Sequence, residues 1–348
     1  MRAPRAFLFY GMTVFVSCLL ALVVAEVVLR HIDYTTGTGM GKAYERWAKK
    51  NWAPLNEAGL RDFGISPRMG SMLPRIYFLG DSFTAGHGVR FEDGYYYRAH
   101  LRLLDKYTLF NLSRNGASTR SELGEIQHFN IATSGSARVV VHQYYFNDID
   151  DYVSLPRWIA PPWLERASRQ LALAELLLVY RFNAEWGGQY GVALKAAYDN
   201  PEILARHLQD VAQLHQFIRQ QGGSVVFLVF PPLATDELMN QHAAEVGRMR
   251  EFFAKTCQPG DEFIDATAAA RTLSRRARVV NFVDSHPSPK LHALIAEEVV
   301  QATEHNSGGA HESCVLLRRS IHERSAVVPV DAATAVRHRT SAALSAAL

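Results

Sequence analysis

Apolar positions fall into two textures along this chain. Short unbroken runs end at glycine, asparagine or proline: Ile76-Tyr77-Phe78-Leu79 before Gly80, Leu109-Phe110-Asn111-Leu112, Val139-Val140-Val141 continuing to Phe146, and Val225 to Phe230 before Pro231-Pro232. Such runs predict strands buried on both faces, as in a parallel sheet. A fifth strand is expected either around Phe263-Ile264 or at Val279-Val280-Asn281-Phe282-Val283. Between the runs, Leu204, Leu208, Val211, Leu214 and Ile218 recur at spacings of three and four until Gly222-Gly223, which predicts a helix. Ser288-Pro289 supplies an N-cap and first-turn proline for another helix, with Leu291, Leu294, Ile295 and Val299 on one face. Strands alternating with helices predict an α/β domain, its mostly parallel five-stranded sheet covered on both sides.

Two stretches depart from that alternation. From Phe7 to Ala25 no charged side chain occurs, and after Glu26 the apolar run resumes through Leu29. That is about the length a helix needs to cross a bilayer core, and it exceeds the usual apolar segment of a cleaved leader. We read residues 1–31 as an uncleaved transmembrane anchor, with cleavage near Val23-Val24-Ala25 as the competing reading. Cys18 lies mid-segment with apolar residues continuing past it, unlike a lipid-attachment cysteine. Arg2 and Arg5 favour a cytoplasmic N-terminus, against the weaker vote of Arg30, Lys42, Arg46, Lys49 and Lys50 beyond the span. The expected location is a single-pass protein of the cytoplasmic membrane, its main domain on the periplasmic or extracellular side. The second stretch, 152–200, is rich in Trp, Tyr, Leu and Pro and too long for a simple crossover. It predicts a partly helical insertion that caps the domain.

The expected organisation is an anchor (1–31), a juxtamembrane stalk and entry loop (32–74), an α/β domain (75–303) and a disordered tail (304–348). Composition narrows the function classes. With 48% hydrophobic and 20% charged residues the chain is an ordinary globular protein, and its net charge of +3 is too small to suggest nucleic acid. Three cysteines build no disulfide framework and show no zinc-ligand spacing. A bridge between Cys257 and Cys314 requires an oxidising compartment, and free thiols are the expectation. No residue cluster has metal-ligand spacing, so no metal or cofactor is expected.

The candidate chemistry lies at strand ends. Gly80-Asp81-Ser82 follows the first strand directly, where a serine would stand exposed on a strand-to-helix turn. On its own this is an ordinary turn tripeptide. A serine nucleophile needs a base, itself oriented by a third group, and Asp284-Ser285-His286-Pro287 precedes the last helix. His286 is the candidate base and Asp284 its orienter. His292 competes, although its place inside the predicted helix suits packing better. Gly116, ending the loop after the second strand, and Asn147, ending the third strand, are candidate oxyanion donors beside the Ser82 N–H.

Gly80-Asp81-Ser82-Phe83, Asn111-Leu112-Ser113-Arg114-Asn115-Gly116, Phe146-Asn147-Asp148 and Asp284-Ser285-His286-Pro287 together resemble the four blocks of the SGNH (GDSL-like) hydrolases, in the family's order, over roughly residues 75–303. The resemblance implies a flavodoxin-like α/β/α sandwich and ester hydrolysis without metal or cofactor. It implies Ser82 as nucleophile, His286 as base, Asp284 as its partner, and Gly116 and Asn147 as oxyanion donors. Three departures stand out: Phe83 replaces leucine, Tyr145 replaces glycine, and Asp-x-His is one residue shorter than the family's Asp-x-x-His. The expected function is removal of ester groups, O-acetyl first, from cell-envelope or exported polysaccharide. An O-acyltransferase using the same nucleophile, and a catalytically silent binding component of an envelope assembly, are the alternatives.

Overall fold

The computed structural model describes residues 3–133, 137–154, 158–304 and 311–319. Its centre is a six-stranded sheet in the order β2-β1-β3-β4-β5-β6: β1 Arg75–Leu79, β2 Thr108–Asn111, β3 Val139–Tyr144, β4 Ser224–Val229, β5 Glu262–Asp265 and β6 His311–Ser313. The first five run parallel and β6 pairs antiparallel with β5. The order 2-1-3-4-5 is the doubly wound, flavodoxin-like arrangement, and ligands gather where it reverses, between the carboxyl ends of β1 and β3.

The strand runs are continuous because both faces are buried. Tyr77 and Leu79 belong to one core cluster and Ile76 and Phe78 to the other, following the two-residue side-chain period. The first cluster draws on the helices Thr119–Thr133, Pro201–Gln220 and Ala243–Thr256, the second on Tyr95–Leu103 and Pro289–Thr303. Two helical layers therefore enclose the sheet. The fifth strand lies at Phe263-Ile264, whereas Val279 makes only an isolated bridge to Pro287.

The N-terminal helix Ala3–His31 contains one span, Phe9–His31, long and apolar enough to cross a membrane, with a mean hydropathy of 2.6. Glu26, the acid that interrupts its apolar run, is not stray. Its carboxylate accepts from the N–H groups of Ala172 and Leu173 at 3.0 and 2.9 Å, capping the long insertion helix Ala172–Asp199.

Three expectations change. Residues 32–74 are not a free stalk: the helix Lys42–Asn51 buries Trp47, Thr35 and Thr36 are buried, and Asn281 Nδ2 donates to Thr35 O at 3.0 Å. These contacts are aromatic and polar at irregular spacing, so hydrophobic periodicity is silent about them. The tail is partly ordered, since β6 extends the sheet and residues 314–319 are helical. The rest of the predicted tail, 305–310 and 320–348, lies outside the described residues. Finally, Cys257 and Cys314 are not free thiols but form a disulfide across 57 residues, their Cα atoms 5.8 Å apart. That tether holds a three-residue strand too short to announce itself by pattern.

Candidate active site

β1 ends at Gly80, whose φ of +152° is a conformation that L side chains rarely adopt. A Cβ there would strike Thr84 Oγ1 and Gln143 Oε1, so only glycine lets the chain turn this tightly. Asp81 then caps the short helix Ser82–Ala85, its Oδ1 accepting from Phe83 N–H at 2.9 Å. Gln143, on the adjacent β3, accepts from the Asp81 N–H at 3.1 Å and from the Thr84 hydroxyl at 2.9 Å. Ser82 is thereby fixed at the first position of a helix, where its N–H has no partner one turn earlier.

The loop before the last helix presents the other partners. Val280 N–H donates to His286 O at 3.0 Å and Asn281 N–H to Asp284 O at 3.2 Å, closing residues 279–287 into a compact turn. Within it Asp284 Oδ1 accepts twice from His286, from the backbone N–H at 3.1 Å and from ring Nδ1 at 2.6 Å. The opposite ring nitrogen, Nε2, stands 2.8 Å from Ser82 Oγ. The short Asp-x-His spacing thus closes by a side-chain-to-backbone turn, and no second intervening residue is needed between Asp284 and His286.

Burial pushes the Asp284 carboxyl up, but the charge and hydrogen bond of His286 outweigh it and hold the group at about 2. Burial pulls His286 down, and the Asp284 charge and hydrogen bond more than reverse this, leaving the imidazole above its ordinary 6.5. Asp81, fully buried, is pushed up to about 6.

Sequence reasoning missed the groups that hold this geometry. His87 lies 4.4 Å from the His286 ring, centre to centre, and is flanked on another side by Tyr44 at 5.2 Å. Its Nε2–H donates to Thr36 O at 2.9 Å, and its Nδ1 accepts from Asn115 Nδ2 at 3.3 Å. Desolvation drives its pKa down to about 4, so it is a neutral buttress. Gln143 and His142 did leave a trace in the sequence, as polar residues inside an otherwise apolar strand run.

The sites proposed from sequence converge on one cleft of about 680 Å³ lined by Ser82, Gly116, Asn147, Asp284 and His286 together with Phe182, Trp186 and Tyr190. Gly116 sits at φ +71°, a left-handed turn. Tyr145, the departure from glycine, stacks on Phe83 with centroids 4.4 Å apart. His292 does not join them: it is buried in its helix and accepts from Tyr95 N–H at 3.2 Å. The insertion helix walls the cleft with the stacked series Phe182, Trp186 and Tyr190, at 5.0 and 4.6 Å, and Asn183 Nδ2 donates to Val283 O at 3.0 Å.

No family model matches the chain, and no curated protein does. Solved structures do. The chain is similar to ester hydrolases of known structure. An acetylxylan esterase from Geobacillus stearothermophilus is 14% identical with a TM-score of 0.43, covering 68% of this chain and 96% of its own. The acetyl xylan esterase AlAXEase is 16% identical at 0.42, and TesA 15% identical at 0.41, each match covering 66% of this chain and 98% of the other. At this distance the likenesses carry no inference about activity.

Proposed function

We propose that this chain is a serine esterase. The observation that carries the reading is the continuous hydrogen-bonded series Ser82 Oγ, His286 and Asp284, opening into a cleft at the sheet's carboxyl edge. Ser82 Oγ attacks an ester carbonyl while His286 Nε2 takes its proton, and Asp284 holds the ring in the Nδ1–H tautomer and stabilises the imidazolium. The Ser82 and Gly116 N–H groups and the Asn147 amide serve the oxyanion. His286 then returns the proton to the leaving alcohol. Water, deprotonated by the same imidazole, releases the acid and restores Ser82.

The substrate reading is an O-acetylated polysaccharide of the cell envelope or an exported one. Its support is the wall of stacked aromatic faces at Phe182, Trp186 and Tyr190, which suits sugar rings. The reading places the chain in the cytoplasmic membrane through residues 9–31 with the cleft outside. The Cys257–Cys314 disulfide suits an oxidising compartment and supports that side.

The test is labelling of the full chain in detergent with a fluorophosphonate probe, followed by hydrolysis of p-nitrophenyl acetate and acetate release from acetylated glycans. Label on Ser82, with hydrolysis lost in Ser82→Ala and His286→Ala, is the expected result. A folded protein that neither takes the label nor cleaves any ester overturns the reading.

A further inference from the structure

Behind the cleft lies a second cluster that the esterase reading does not use. Glu122, from the helix Thr119–Thr133, His142, from β3, and Asp148, from the turn after Asn147, bring one donor atom each to within 4.8 Å of one another. All three are 2% exposed or less. Among the described residues neither carboxylate has a well-formed hydrogen bond through either oxygen, although the Tyr145 N–H lies near Asp148. His142 Nε2 approaches Glu122 Oε2 to 3.0 Å, yet neither atom is in a hydrogen bond. The imidazole nitrogen and the carboxylate oxygen therefore sit side by side at the ion-pair distance without a well-formed hydrogen bond between them.

The other side of the imidazole explains why. His142 Nδ1 is 2.9 Å from His215 Nε2, so one of the two must donate. If His142 Nδ1–H is the donor, its Nε2 lone pair faces the carboxylates. Two ionised carboxylates carry more charge than one imidazole can balance, and buried charges are otherwise paired or bound to metal. The remaining grouping of this type, His87, Asp284 and His286, is already engaged in the cleft's hydrogen bonds.

We propose that Glu122, His142 and Asp148 form a structural site for a divalent transition metal, Zn²⁺ or Mn²⁺. The donor set, one imidazole nitrogen and two carboxylate oxygens, suits either ion, which such groups bind at about 2.0–2.2 Å. The His142–His215 contact is the outer-shell bond that orients a ligating histidine. Such an ion would tie the helix Thr119–Thr133 to β3 and to the turn carrying Asn147. It takes no part in the ester chemistry.

The experiment is elemental analysis of the full-length chain, purified in detergent from cells grown with added Zn²⁺ and Mn²⁺. A companion melt follows EDTA treatment in denaturant and refolding with each ion alone. Equimolar Zn²⁺ or Mn²⁺ in the wild type, a melting temperature raised by that ion, and loss of both effects in Glu122→Gln and Asp148→Asn are expected. His215→Asn should weaken retention of the ion about 10–100-fold. Where the carboxylate variants do not fold, the wild-type content and its response decide. Wild-type protein with only trace metal, and a melt indifferent to both ions, overturns the site.

Discussion

The cleft and the cluster behind it each centre on a histidine beside a buried carboxylate, yet they differ in how their polar atoms are used. In the cleft, His286 has both ring nitrogens committed, one to a carboxylate and one to a hydroxyl, and the hydroxyl meets solvent. In the cluster, His142 has one nitrogen committed to another imidazole, while the carboxylate oxygens opposite its second nitrogen are sealed in without a well-formed hydrogen bond among the described residues. A satisfied and open series can pass a proton along. An unsatisfied and closed one can only hold something. The difference teaches that composition does not separate a catalytic from a coordinating triad; the accounting of each donor and acceptor does.

Breaking the open series should give the largest effects. Ser82→Ala or His286→Ala is expected to lower esterase turnover by about 10⁶-fold in single-turnover assays, with retained far-UV circular dichroism. Asp284→Asn, which keeps the shape but favours the wrong imidazole tautomer, should cost about 10⁴-fold in kcat. Asn147→Ala should lower kcat by about 10²–10³-fold with KM little changed; an unaltered kcat would remove the amide from the oxyanion site.

The pH dependence separates the two histidines packed together at the cleft. Catalysis needs neutral His286, so kcat/KM should rise with pH through an apparent pKa above 6.5, set by the Asp284 charge against burial. Because its folded pKa is raised, His286 contributes stability that is full below the unfolded value and is lost as pH rises through the folded one. His87 has the opposite sign. Its pKa falls to about 4 on folding, so the native state should lose stability as pH drops from about 6.5 towards 4. Melting curves across that window check it. The smallest expected change is remote from both regions: replacing Cys257 and Cys314 by serine should lower stability by about 2–4 kcal/mol in denaturant titrations and leave kcat unchanged.

Much of the architecture is determined by sequence alone, because buried parallel strands and amphipathic helices write their burial into hydropathy period. β1 to β4, the helices Pro201–Gln220 and Pro289–Thr303 and the apolar span are all legible in that way. The strand-end positions of Ser82, Gly116 and Asn147 follow from the same reading, since the residues flanking a run are known once the run is. Only the tertiary structure decides which polar atoms meet. Asp284 reaches His286 through a turn whose closure depends on Val280 and Asn281, and His87 depends on Thr36 and Asn115, far away in the chain. The ordering of residues 32–74, the three-residue strand β6 of the disulfide-held tail and the approach of Glu122, His142 and Asp148 are long-range in the same sense. Hydrophobic burial acts through spacing along the chain and can be read locally. Hydrogen bonds, covalent tethers and charge balance are satisfied by residues far apart in sequence, and only the folded chain names the partners.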